Sequence, residues 1–302
     1  MWFWLSLIAL LCWSGSDLFS KIGCRDPRDK FSPLKMVIAV GVVMGLHAAY
    51  EIFVGGTEIN LSILLTYLPV SLLYISSMTL GYVGLRYIEL SISSPICNSS
   101  GALVAVMTLV LSGISGYSPL ALVAVALVCA GAIGLGVVDA CEDEDLRAAR
   151  QETSNYKYAK SAMALAMPVA YCLLDAAGTF ADNRVLETLN EDSANVAYEL
   201  TFLLAAVVCF VYVVLIKRTP LIPKLEAPKY IGAVCETAGQ FAYIYAIADT
   251  AHLAMSAPII SSYCAASVLW SRIFLKEKLS WKHYLMILLI IIGIAIMGFF
   301  DM

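Results

Sequence analysis

Glu236 stands in the stretch Ile231-Gly232-Ala233-Val234-Cys235-Glu236-Thr237-Ala238-Gly239-Gln240, which is otherwise small and mostly apolar. Hydrocarbon cannot solvate a carboxylate, so an acid inside such a stretch is a functional candidate by default. It can hold a proton or a cation, and competition between the two at one site would couple their movements. The plainer reading is a protonated glutamate hydrogen-bonded between neighbouring helices. Glu199, beside Tyr198, is the second candidate and serves equally as a structural or a binding group. Asp17 and Asp175 each follow an aromatic residue, Trp13 and Tyr171, by four positions. Lying near the ends of their segments they read first as solvated helix caps, and their symmetric placement would also suit gating contacts. Glu51 and Glu89 are assigned to interfaces.

Aromatic faces attract cations by about 0.5–2 kcal/mol, depending on desolvation. Trp13, Tyr74, Tyr82, Tyr171, Tyr243, Tyr245 and Tyr263 all fall in or at the edge of apolar segments. Tyr243 and Tyr245 point to different faces of one helix, so at most one of them joins a common site. With the acids, and with every Lys and Arg near a segment end, these rings describe a box for an amine or quaternary ammonium. An anion would need a deep basic residue or a helix N-terminus aimed at it. The alternative is that the rings belong to interface belts or to packing. Gln240, one turn beyond Glu236, and Asn98 are polar lining candidates.

Other chemistries lack their residues. There is no Walker A pattern, no HExxH and no GxSxG, and no nucleophile–base spacing among the acids and serines. The chain is therefore not read as an enzyme, and neither a cofactor nor a nucleic-acid partner is expected. His47, His252 and His283 are far apart and resemble no zinc site, so no metal is expected. The nine cysteines form no CxxC pair and read as packing thiols without a disulfide. Asn60-Leu61-Ser62 is a glycosylation sequon.

The elements that must position these residues are set by composition. Hydrophobic residues make up 61% of the chain and charged residues 14%, with a mean hydropathy of +0.83. Too little polar surface remains for a soluble globule of this size. A bilayer core about 30 Å thick needs about 20 apolar residues per helix. Hydropathy and punctuation mark ten such segments: 2–20, 33–54, 62–87, 91–112, 119–138, 158–181, 194–216, 228–248, 252–275 and 281–300. The first, without a basic flank or a cleavage site, reads as a spanning helix rather than a signal peptide. Glu236 lies about nine residues into the eighth, roughly 13 Å from its start.

One long hydrophilic stretch, Asp139 to Lys157, divides the segments into two sets of five. Eighteen of the 19 lysines and arginines fall by odd-numbered loops, and only Arg184 does not. The positive-inside rule then places those loops in the cytosol and both termini outside. Five segments per half make the second half enter from the opposite side, which is the inverted repeat of secondary transporters.

A motif occurs in both halves. Pro95, before Ile96-Cys97-Asn98-Ser99-Ser100, is matched 163 residues later by Pro258, before Ile259-Ile260-Ser261-Ser262-Tyr263. Each proline removes a backbone donor and loosens its helix, and Asn98, Ser99, Ser261 and Ser262 are placed to satisfy the freed carbonyls. On the same spacing Glu236 falls beside Tyr74. Gly131, Gly134 and Gly136, with Gly293 and Gly298, read as close helix packing.

The run Gly84-Leu85-Arg86-Tyr87 through Ser94-Pro95, its second copy at Pro258 and the turn Phe274-Leu275-Lys276-Glu277-Lys278-Leu279 resemble the EamA-type branch of the drug/metabolite transporter superfamily. The resemblance covers the whole chain. It implies a basket of ten helices, with segments 3, 4, 8 and 9 lining a central cavity. The first half ends its fourth segment with Ser112-Gly113-Ile114-Ser115-Gly116 and has no counterpart of Glu277, so Glu277 receives no symmetric role.

The expected protein is an all-α integral membrane protein with ten transmembrane helices in two inverted five-helix repeats. Residues 1–139 form the first repeat, 140–157 a cytosolic linker and 158–302 the second. The expected function is secondary transport of a small organic cation or zwitterion by alternating access. Glu236, Tyr74, Trp13, Tyr82, Asn98, Tyr171, Glu199, Gln240, Tyr243 and Tyr263 would bind substrate, and Glu236, Asp17 and Asp175 would couple or gate. Protons are the candidate coupling ion, and lipids surround the protein in the plasma membrane. A monomer suffices, and a dimer stays open. One alternative is an exporter of neutral or aromatic amino acids or other metabolites. Another, of a different class, is a membrane sensor or lipid-handling protein without solute turnover.

Overall fold

A computed structural model of the chain describes residues 1–26, 28–88, 90–114, 117–141 and 162–299. The expected linker at 140–157 lies almost wholly outside the described residues, as do Glu89, Ser115, Gly116 and the basic residues Arg147, Arg150, Lys157 and Lys160. Among the described residues all regular structure is helical. In chain order the α-helices are α1 (Trp2–Cys24), α2 (Ser32–Tyr50), α3 (Leu61–Tyr87), α4 (Leu90–Asn98), α5 (Ser100–Ser112) and α6 (Pro119–Ala140). After them come α7 (Ala162–Val185), α8 (Glu191–Phe210), α9 (Pro223–Ala248), α10 (Leu253–Ser261), α11 (Tyr263–Trp270) and α12 (Trp281–Gly298).

Among the described residues eight spans are long and apolar enough to cross a bilayer, with α4–α5 and α10–α11 each counting as one. The helices α7 and α9 are not among the eight. Polar side chains fix several helix starts. The Asn60 side chain accepts from the Ile63 amide at 3.0 Å, so the sequon asparagine is the N-cap of α3. Asn190 caps α8, and the acids Glu191 and Asp192 in the first turn suit the positive end of its dipole.

The prolines act one turn downstream. The chain breaks at Ser99 and at Ser262, four residues after Pro95 and Pro258, and then resumes as α5 and α11. The side chains expected to meet the carbonyls freed by proline serve this break instead. Asn98 Nδ2 donates to the Ser94 carbonyl at 2.8 Å, Ser99 Oγ to Pro95 at 3.0 Å and Ser262 Oγ to Ile259 at 2.5 Å.

In lipid, helices gain little from leaving one apolar medium for another, so close packing holds them together. The main neighbours are α1 with α9, α3 with α7, α2 with α8 and α6 with α12, while α5 meets α10 and α4 meets α11. The α6–α12 contact is reciprocal: a Cβ on Gly131 would lie 2.8 Å from the Met286 carbonyl oxygen, and one on Gly293 2.8 Å from that of Ala124. Gly134 likewise faces Met286, whereas Gly136 faces Ile96 and Gly298 the Phe3 ring.

Candidate functional site

The helices enclose a central cavity lined from α1, α3, α4, α5, α7, α8, α9, α10 and α11. Segments 3, 4, 8 and 9 line it as the resemblance implied, but segments 1 and 6 contribute as fully, through Trp13, Ser16, Asp17 and Ser20, and through Tyr171, Asp175 and Thr179. Among the described residues none of the lining side chains is Lys, Arg or His.

Three carboxylates face this space. α9 begins at Pro223, earlier than its apolar pattern, so Glu236 sits at the middle of the helix. It lines the cavity, as Ser16 does, with its side chain partly exposed. Asp17 accepts from Ser94 Oγ at 2.5 Å and Ser267 Oγ at 2.8 Å, and Asp175 from Ser100 Oγ at 2.7 Å. Neither aspartate is at a helix end: α1 continues to Cys24 and α7 to Val185. The cap reading is thereby corrected, because each helix runs past its first charged residue.

The rings expected at the site converge. Trp13 lies 5.0 Å from Tyr243 and 5.8 Å, edge to face, from Tyr263, and its Nε1 donates to the Glu236 carbonyl at 3.3 Å. Tyr74, Tyr82 and Tyr171 also line the cavity. Two of the rings are seated on glycines: a Cβ on Gly239 would fall 2.6 Å from Trp13 Nε1, and one on Gly81 3.0 Å from Tyr171 Cδ2. Tyr245 points away from the cavity, with its hydroxyl on Asp192. Asn98 lines the cavity but commits its amide to Ser94. Among the described residues, Tyr82 Oη, Gln240 Nε2 and Ser20 Oγ are buried without a hydrogen-bond partner.

Glu199 is the candidate that the structure sets apart. It is fully buried between α2 and α8 rather than wet at a mouth, because His47 covers it: Nδ1 lies 2.8 and 3.0 Å from its two oxygens, and Asn195 Nδ2 donates at 3.2 Å. Its neighbour Tyr198 lines the cavity instead. No sequence signal linked His47 to Glu199, which are 152 residues apart.

Each end of the cavity has its own closure. At one, Lys21 Nζ donates to the Leu85 and Ile88 carbonyls at 2.8 and 2.6 Å, and the Ser91 amide donates to Glu277 Oε2 at 3.3 Å. At the other, Asn183 Nδ2 donates to the Ile247 carbonyl at 2.7 Å and the Tyr117 hydroxyl to that of Ala251 at 3.0 Å. Beside this second closure Asp182 is fully buried and accepts from the hydroxyls of Tyr67 at 2.8 Å and Tyr74 at 3.3 Å. Among the described residues no group of three or more His, Cys, Asp or Glu is arranged to hold a metal ion.

Comparison with known proteins agrees with this architecture. A solved structure described only as "Crystal structure of protein" superposes with a TM-score of 0.63 at 14% identity, covering 98% of this chain and 96% of its own. That likeness speaks for the fold alone. A search of curated proteins finds no match. Residues 164–299 match the profile of the EamA-like transporter family. That match covers somewhat less than half of the chain and, with the apolar spans among the described residues, supports an integral membrane protein. The EamA-type resemblance read from the sequence, within the drug/metabolite transporter superfamily, is the family that the comparison finds.

Proposed function

We propose that the protein is a secondary transporter that moves a small organic cation or zwitterion by alternating access, with Glu236 as its principal charge partner. One observation carries this reading. Three acids and a cluster of aromatic rings face one cavity, and among the described residues no cationic side chain shares it. Only protons or a ligand cation can then neutralise the site, since an unpaired buried charge is strongly disfavoured. The rings add cation–π attraction of about 0.5–2 kcal/mol each.

The transport mechanism rests on ten spans in two inverted halves, and the packing supports it. The helix breaks at Ser99 and Ser262 keep the 163-residue spacing of the prolines. Trp13 on Gly239 is mirrored by Tyr171 on Gly81, with both partners 158 residues apart. On that spacing Met78, rather than Tyr74, is the counterpart of Glu236, and both line the cavity. The lysine and arginine pattern supports an orientation with the Lys21 end of the cavity toward the cytosol and the Asp182 end toward the outside, and the plasma membrane is the location that goes with this reading.

The test is choline binding and uptake by the reconstituted protein, wild type against Glu236→Gln. Loss of one partner of a buried charge pair costs about 2–5 kcal/mol, so affinity is expected to fall about 30-fold or more. Unchanged binding in the variant sinks the role of Glu236.

A second reading has its own support. The orphaned donors at Gln240 and Tyr82 favour a ligand that also carries an acceptor, such as an amino acid. Thermal-shift comparison of choline-like amines with neutral and aromatic amino acids separates the two. Stabilisation by ligand without flux in proteoliposomes would instead support a sensor or lipid-handling role.

A further inference from the structure

Asp182 plays no part in the binding site just described, yet it is a fully buried acid. The groups that face it are Tyr67 and Tyr74 from α3, with Tyr243 of α9 and Tyr198 of α8 behind them. On its own helix Asp175 lies two turns away, and Arg184 is turned to Glu187 at 2.8 Å. Among the described residues no cation pairs with it, so nothing but hydroxyl groups compensates an ionised Asp182.

Those hydroxyls form a continuous chain. Tyr74 contacts Asp182, Thr179 Oγ1 at 3.3 Å and the Tyr243 hydroxyl, and Tyr243 donates to Thr179 at 3.1 Å. Tyr74, Tyr243 and Thr179 line the cavity, whereas Tyr67 and Asp182 do not. When Asp182 is charged, Tyr67 and Tyr74 both point hydrogens at it, and Tyr74 in turn accepts from Tyr243. The network then holds one more hydrogen-bond contact than it has hydroxyl hydrogens. A proton on Asp182 supplies the missing one and lets the chain reverse: Asp182 donates to Tyr74 and Tyr74 to Tyr243, which can exchange its bond to Thr179 for one toward the cavity.

We propose that Asp182 is a proton-binding site separate from the acids of the cavity, joined to the cavity by the hydroxyls of Tyr74 and Tyr243. The proton held on Asp182 leaves by the same chain: Asp182 gives it to Tyr74, Tyr74 gives its own hydrogen to Tyr243, and Tyr243 gives its own to an acceptor in the cavity. Asp182 is then ionised again, both tyrosines keep a hydrogen and no phenolate remains. The part of this site in transport rests on the carrier reading above; the proton site itself does not.

The direct test is pH-titrated infrared difference spectroscopy of the full chain in nanodiscs, read in the carboxylic-acid carbonyl region. Asp182→Asn is expected to remove one titrating component and to leave the one that Glu236→Gln removes. Tyr74→Phe and Tyr67→Phe are each expected to shift the Asp182 component without abolishing it. A titrating spectrum identical in wild type and Asp182→Asn overturns the proposal. Should the asparagine variant fail to fold, a component unmoved by both phenylalanine variants overturns it equally. In proteoliposomes Asp182→Asn is expected to keep choline binding and lose choline-driven proton movement; retained proton movement rejects the coupling role. If choline is neither bound nor moved while the Asp182 component still titrates, the carrier reading fails and the proton site stands.

Discussion

The two ends of the cavity do the same mechanical job with different chemistry. At the Lys21 end a lysine meets two carbonyls at the close of α3, and an acid, Glu277, receives an amide at the start of α4. Each charge sits at the helix terminus whose dipole favours it. At the Asp182 end, Asn183 and Tyr117 reach the corresponding carbonyls, Ile247 at the close of α9 and Ala251 just before α10, without a charge. Hydrogen bonds to charged groups contribute about 1.5–3 kcal/mol, neutral ones about 0.5–1.5. The contrast implies that the neutral end is the weaker closure.

Three substitutions break or sharpen that contrast. Lys21→Met leaves two carbonyls without the lysine and is expected to cost about 3 kcal/mol or more, seen as a clear fall in Tm in detergent. In a background where Cys97, a cavity-lining thiol, is the sole cysteine, the same change should raise its labelling by a water-soluble maleimide from the Lys21 side. Asn183→Ala removes one neutral bond, at about 1–2 kcal/mol; it should raise Cys97 labelling from the other side with a smaller loss of Tm. Tyr117→Phe is the mildest, at about 0.5–1.5 kcal/mol, with labelling nearly unchanged. If Asn183→Ala lowers Tm as much as Lys21→Met, the two closures are equal and the comparison is lost.

Much of the cavity was legible in the sequence because an acid or a proline among apolar residues is conspicuous: Glu236, Trp13, Tyr171 and the paired proline motifs all reach the same place. What escaped did so for one reason at both ends. Hydropathy tolerates one isolated acid but closes a helix where further charges follow, so the first segment was closed at Ser20 and the sixth at Ala181, one residue short of Lys21 and of Asp182. The helices run on to Cys24 and Val185 because bonds to Leu85, Ile88, Tyr67 and Tyr74 take the place of solvent. Glu199 was misplaced by the converse error. A position near a segment end suggested water, whereas His47, brought in from a distant segment, keeps it dry.

The glycine seats of Trp13 and Tyr171 carry one more consequence. With no side chain behind either ring and the facing backbone already close, neither can retreat to widen the bore. On the carrier reading proposed above, a bulkier guest would have to be met by displacing the helices behind these rings and not by pressing the rings back, which would build discrimination by girth into the frame itself.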